Sequence, residues 1–216
     1  DATCPLVEKV HNEARRFAER GYDIILIGEA GHDETIGTMG WVDLRRIHLI
    51  QSPAEAEHIT VSDPEKTAYI TQTTLSVEDC AAVIAILKRR FPRIQAPARE
   101  DICYATTNRQ TAVLSLAPEA DLVLVVGDHE SANSTRLRDI ARSRGIRAEL
   151  ISDVSKLDPA WLDGVQTVLI TSGASVPERL VDGLRAWFLD RYPDCSVEER
   201  IVREEDMEFR LPREIA

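Results

Sequence analysis

A cysteine followed 24 positions later by the glycine that closes an apolar run occurs twice in this chain. Cys4 leads to Gly28 at the end of Asp23-Ile24-Ile25-Leu26-Ile27, and Cys103 leads to Gly127 at the end of Asp121-Leu122-Val123-Leu124-Val125-Val126. Thr67-Ala68-Tyr69-Ile70-Thr71 returns 100 residues later as Thr167-Val168-Leu169-Ile170-Thr171. Together these landmarks describe a tandem duplication of a unit of roughly a hundred residues. Cys4 directly precedes Pro5, and proline suits a first helical turn. Cys103 lies between an extended stretch and a helix for which Asn108 is the expected N-cap and Thr111 to Leu116 the body. A lone thiol in such a place reads as a small buried residue. A second copy ahead of a second helix shifts the reading, because the field of a helix start favours the thiolate that binds soft metals.

The 216 residues are enough for a substantial core, and the duplication divides them into two small α/β units. Residues 1–99 form the first and 100–196 the second, while 197–216 add two extended stretches, Val197-Arg203 and Met207-Leu211. These strands form a ribbon on the second unit or complete a third unit whose beginning lies upstream. The chain starts at Asp1 rather than Met, without a secretory signal, and is expected to be a piece of a larger protein. No apolar run approaches the ~18 residues of a membrane span. A net charge of −11 argues against a nucleic-acid partner, and any anionic ligand must be held by local donors against the mean field. Four cysteines without close pairing point to a reducing cytoplasm.

The first unit reads as a helix after Cys4 ending at Gly21, then a strand at Asp23-Ile27. Gly28 to Gly40 reads as a glycine-rich loop whose backbone can approach a ligand, although its spacing is not the dinucleotide fingerprint. Strands are expected near Ile47-Ile50 and Ala68-Thr71, followed by a helix whose Ser76 and Asp79 make a capping box. Cys80, Val83, Ile84 and Leu87 form the apolar stripe of that helix, so Cys80 is a core residue. Phe91 to Arg99 connects the units. The second unit repeats the plan: a strand to Val126, a polar loop from Gly127 to Ser134, a helix ending near Gly145, strands at Ala148-Ile151 and Val168-Thr171, and a helix from Pro177 to about Tyr192. Strand, polar loop and helix in alternation give parallel sheets flanked by helices, with ligands at the carboxyl ends of the strands. Both cysteines and the loops carrying His32, Thr73, Ser131 and Ser175 follow strands or start helices, so they can converge on one site.

Two thiolates from equivalent repeat positions suggest a metal centre on a pseudo-symmetry axis. Structural zinc would want C-x2-C knuckles, and the H-x-E of His32-Asp33-Glu34 lacks the P-C-x-x-C partner of the zinc deaminases. An iron–sulfur cluster needs at least one further thiolate upstream. Ser131, Asn133 and Ser175 with two helix starts form a pocket for phosphate oxygens, to which His32 adds a donor. Glu34 suits a proton donor where burial raises its pKa.

The stretches Asp1-Ala2-Thr3-Cys4-Pro5, Gly31-His32-Asp33-Glu34, Gly37-Thr38-Met39-Gly40, Thr71-Gln72-Thr73-Thr74-Leu75-Ser76, Asp101 to Gln110, Ser131-Ala132-Asn133-Ser134 and Ser172-Gly173-Ala174-Ser175 closely resemble the LytB/IspH family of 4-hydroxy-3-methylbut-2-enyl diphosphate reductases. The resemblance spans the whole chain. It implies tandem repeated Rossmann-like units, two of a pseudo-three-fold set of three, around a [4Fe-4S] cluster. Cys4 and Cys103 would be two of its ligands, the third lying upstream of Asp1 with a further diphosphate-binding histidine. It further implies Glu34 as proton donor, Thr73 in the relay and against the substrate, and His32, Ser131, Asn133 and Ser175 on the diphosphate. The implied reaction is the two-electron reductive dehydroxylation that ends the methylerythritol phosphate route to isoprenoids, with a ferredoxin or flavodoxin as electron donor.

Two departures stand out. Ala132 replaces a second phosphate-contacting serine, a loss of roughly 0.5–3 kcal/mol. Asp128-His129-Glu130 puts two carboxylates where the family is more neutral. The competing reading is a cluster-free α/β module that binds a phosphorylated metabolite or a protein partner without redox chemistry.

Overall fold

The computed structural model describes residues 3–205 and 207. They form two compact units, one running to Cys103 and the other spanning Tyr104–Glu204. In the first, α1 (Pro5–Glu19), β1 (Asp23–Ile27), α2 (Asp33–Met39), β2 (Ile47–Ile50), α3 (Pro53–His58), β3 (Thr67–Thr71) and α4 (Val77–Arg90) follow in order. Pro5 starts α1 where its missing N–H costs nothing, and Gly21, at φ 78°, turns the chain out of the helix. The strands make a parallel sheet of order β2-β1-β3. Ile27 stands opposite both Ile50 and Thr71, so the three strands end level and deliver their loops to one edge.

Alternation along the strands sorts side chains to two faces. Ile24, Leu26 and Ile70 pack under Val10, Ala14 and Phe17 of α1, while Ile25, Ile27 and Tyr69 pack against Cys80, Val83 and Leu87 of α4. Burial pushes the Cys80 thiol up to about 12, which fixes it as an inert core residue. Ser76 caps α4 by accepting the Asp79 N–H at 3.2 Å, as the capping box requires.

The second unit contains α5 (Tyr104–Leu116), β4 (Leu122–Val126), α6 (Ala132–Ser143), β5 (Arg147–Ile151), β6 (Val168–Ser172) and α7 (Glu178–Arg191). Its parallel sheet, β5-β4-β6, has the same order of visits as the first. Val123 and Val125 pack against Val113 of α5 and Leu137 of α6, and Leu122, Leu124 and Val126 against Leu184 of α7. The tandem duplication therefore holds for every strand and for the helices flanking them, except that α3 has only short 3-10 turns as its counterpart between β5 and β6. One landmark shifts: Ile27 pairs with Thr71 but Val126 with Ser172, so the counterpart of Thr71 is Ser172 rather than Thr171.

Three expectations are corrected. Residues 33–39 are helix rather than loop. Helix α5 begins at Tyr104, directly after Cys103, so Asn108 lies inside it instead of capping it. Residues 197–205 contain no strand. A strand needs a neighbour's backbone, and here side chains do the anchoring instead, Arg200 to Glu119 and Arg203 to Asn108. Of Met207-Leu211 only Met207 is among the described residues.

The glycines ending the central strands are there for space. A Cβ on Gly28 would lie 2.9 Å from Thr35 Oγ1, and one on Gly127 would lie 2.2 Å from Ser134 Oγ. Gly127→Ala is expected to cost about 1–3 kcal/mol by overpacking, read as a lower urea midpoint. Adding Ser134→Gly should recover part of that loss, and an unchanged midpoint in the single variant would refute the wedge.

Candidate functional site

The first turn of α2 forms because His32 caps it, Nδ1 accepting the Glu34 N–H at 3.1 Å, and because Asp33 and Glu34 favour a helix N-terminus. With Nδ1 accepting, the neutral imidazole keeps Nε2–H as a donor. Glu34 then reaches the end of β3. Its Oε1 accepts the Thr73 N–H at 2.7 Å and its Oε2 the Thr73 hydroxyl at 2.9 Å. Burial raises the Glu34 pKa, opposed by the two Thr73 hydrogen bonds and by His32. Both oxygens of a half-buried carboxyl are thus fixed by one residue.

Gln72, which the sequence reading did not single out, orders the surrounding loops. Its Oε1 accepts the Glu29 N–H at 2.8 Å and the Thr35 hydroxyl at 3.3 Å, and its Nε2 donates to Thr74 Oγ1 at 3.0 Å. No local pattern marks it, since its partners lie up to 43 positions away.

Both cysteines of the repeat precede helices. Cys4 is the N-cap of α1, exposed, its thiol making no capping bond, and Cys103 is half-buried ahead of α5. The Cys103 N–H donates to Thr73 O at 3.0 Å, the same residue that holds Glu34. Lys9 of α1 ties down the segment before Cys103. Its Nζ donates to Arg99 O at 2.5 Å, Glu100 O at 3.0 Å and Asp101 Oδ1 at 2.8 Å, while Asp101 Oδ2 accepts the Thr71 N–H at 2.8 Å. Burial pushes the Asp101 carboxyl up to about 6, with Lys9 and the Thr71 N–H opposing. The helix that starts at Cys4 and the segment that ends at Cys103 are thus strapped together. Among the described residues no group of three or more His, Cys, Asp or Glu side chains is assembled to hold a metal. Two thiols match a cluster in donor chemistry and fall short of it in number.

In the second unit Ser131 caps α6, its Oγ accepting the Ser134 N–H at 3.3 Å and the Ser134 hydroxyl at 3.2 Å. Asn133 is buried and its Oδ1 has no partner. That orphan atom is an acceptor and calls for a donor; the groups here that could meet an anion's oxygens are the first-turn N–H groups of α6 and the amide's own NH2. Ser175 is exposed in the turn between β6 and α7, and Ala132 is the first residue of α6. Asp128, also exposed, closes its own turn by accepting the Glu130 N–H at 2.8 Å. By position in the repeat, Ser131 answers His32, Asn133 answers Glu34 and Ser134 answers Thr35.

A family model described as LytB protein matches residues 1–188. The 4-hydroxy-3-methylbut-2-enyl diphosphate reductase of Acidothermus cellulolyticus is 52% identical over 216 residues, covering 100% of this chain and 63% of that protein. The enzyme of the same name from Gluconobacter oxydans is 52% identical over 221 residues, covering 100% and 66%. The chain thus spans a little under two thirds of the length of these relatives. The solved structure of the E-1-hydroxy-2-methyl-but-2-enyl-4-diphosphate reductase of Plasmodium falciparum matches with a TM-score of 0.93 at 35% identity, covering 100% of this chain and 68% of that one.

Thr73→Val keeps the backbone donor to Glu34 and removes the hydroxyl, so the Glu34 pKa is expected to rise further in a carbon-detected carboxyl titration. A fall would contradict the assignment. Because the folded pKa of Glu34 lies above its unfolded value, the folded state takes up the proton first. Stability should therefore increase as pH falls through the folded pKa, and Glu34→Gln should flatten that slope. Lys9→Met leaves Asp101 buried without its cation and should cost roughly 1–3 kcal/mol. Faster hydrogen exchange at the Thr71 and Cys103 amides would be its local sign.

Proposed function

The chain belongs to the LytB family, and on that premise we propose that it supplies two of the three α/β units of an iron–sulfur reductase. That enzyme converts 4-hydroxy-3-methylbut-2-enyl diphosphate to isopentenyl and dimethylallyl diphosphate, the last step of the methylerythritol phosphate route. Glu34 carries the reading. Its carboxyl is gripped by both donors of Thr73, and burial raises its pKa, the direction that favours a group able to hand a proton to a leaving hydroxyl. The reaction consumes two electrons and two protons. The allylic C–O bond breaks, one proton leaves with the hydroxyl as water, and the other ends on carbon.

Cys4 and Cys103 would hold the cluster with a third thiolate from elsewhere in the protein, and their thiolates supply the soft donors it needs. When bound, the cluster supplies the electrons, which arrive from a ferredoxin or flavodoxin. Thr73 orients Glu34 and relays its proton. His32 contributes Nε2–H to the diphosphate from the first unit. Ser131, Asn133 and Ser175 contribute hydroxyl, amide and first-turn N–H groups from the second. Thiolate ligands call for a reducing compartment, the cytoplasm.

One competing reading is a cluster-free module that binds a phosphorylated metabolite or a protein partner without redox chemistry. Anaerobic purification of the whole encoded polypeptide separates the two. The reductase should carry iron and sulfide, lose them in Cys103→Ser, and turn over 4-hydroxy-3-methylbut-2-enyl diphosphate. Glu34→Gln should lower turnover by about 10²-fold or more, the scale of a lost general acid, while inorganic diphosphate binds within a few-fold of wild type. Diphosphate binding with neither iron nor turnover would replace the reductase with the module.

A further inference from the structure

We infer that Arg109 is a positioning residue that sets the second unit's affinity for a diphosphate, acting through its fixed charge and its hold on the end of β6; this deepens the reading of Ser131, Asn133 and Ser175 and rests on it. The need for such a cation follows from the charge balance. The chain carries a net charge of −11, and Asp128 and Glu130 stand immediately before the α6 N-cap. First-turn N–H groups alone would have to bind a multiply charged anion in a repulsive field.

Arg109 reaches from the first half of α5 to the carboxyl edge of the sheet. Its Nη1 donates to Ser172 O at 3.1 Å and Ser172 Oγ at 3.2 Å. Its Nε is buried without an acceptor, and among the described residues no carboxylate meets the guanidinium. A partly buried cation with no counter-ion is costly, and the cost falls when an anion arrives. Contacts connect it to the phosphate residues. Ser172 precedes Gly173, where a Cβ would lie 2.2 Å from Ser134 Oγ, and Ser134 donates to Ser131 Oγ at 3.2 Å. Asn133, next to Ser134, holds the other unpartnered buried polar atom of this unit. The Asn133 orphan is an acceptor, so at this edge of the sheet the unmet donor is Arg109 Nε–H, linked to the start of α6 through two serines.

The test is calorimetric binding of inorganic diphosphate to the whole encoded polypeptide. Arg109→Gln is expected to weaken binding about 10–100-fold, the range of one charge-assisted interaction. Arg109→Lys, which keeps the charge and loses the planar fork, should stay within about 5-fold of wild type. The salt dependence of the affinity should become shallower in the glutamine variant only. A role confined to strapping α5 onto β6 predicts equal losses in both variants with unchanged salt slopes, and that result overturns the inference. So does wild-type affinity in Arg109→Gln. Should the glutamine variant not fold, the Arg109 Nε–H resonance of the wild type, identified by its absence from the lysine variant, should shift on titration with diphosphate but not with chloride at equal ionic strength. A stationary resonance overturns the inference. A wild-type protein that binds no diphosphate removes the functional reading beneath it as well, which distinguishes the two failures.

Discussion

Both halves of the molecule depend on how closely a helix can approach the end of the central strand. At Gly28 and Gly127 the first turn of the next helix lies where a methyl group would have to be, against Thr35 in one unit and Ser134 in the other. That contact sets the height of the helix N-terminus above the sheet edge. The cap residues His32 and Ser131, and the side chains two positions on, are placed by it. Strand pairing that ends level at Ile27, Ile50 and Thr71 supplies the edge on which the arrangement stands.

On this frame the first unit gathers its polar groups around Thr73. Thr73 engages Glu34 with its N–H and hydroxyl and engages Cys103 with its carbonyl, so one residue sets both an acid and a thiol-bearing segment. Lys9 and Asp101 pull that segment onto α1. The second unit instead sets Ser131, Asn133 and the Arg109 guanidinium, which meets no carboxylate among the described residues, at the edge of its sheet. The same fold presents different chemistry because the residues at the helix starts differ, His32 and Glu34 in one unit and Ser131 and Asn133 in the other.

Much of this was legible beforehand. Five-residue apolar runs bounded by glycine betrayed the central strands, and the interval from cysteine to glycine betrayed the duplication. Ser76 and Asp79 formed the cap their spacing announces. Failures occurred where distant partners outvoted local preference. Glycine content suggested a loop at 33–39, yet the His32 cap and two acidic first-turn residues make a helix there. Asn108 has the chemistry of a cap, but α5 starts at Tyr104, where the anchoring of Asp101 by Lys9 across 92 positions ends. Gln72 and Arg109 are unremarkable in sequence, because what distinguishes them is the company they keep 37 to 63 residues away. The threonine echo at 67 and 167 was real as homology of strands and one residue out as alignment, a shift that would reverse every face of the strand.

Glu34 and Asn133 occupy one and the same place in two descendants of a single ancestral segment. Copying the segment freed each version from serving both demands. One could keep an ionisable group, while the other could settle on an amide indifferent to acidity. Each copy is now tied to partners of its own, Glu34 to Thr73 and Thr35 to Gln72 in one, Ser134 to Ser131 in the other, so the 28–40 and 127–139 segments are not interchangeable despite their common architecture.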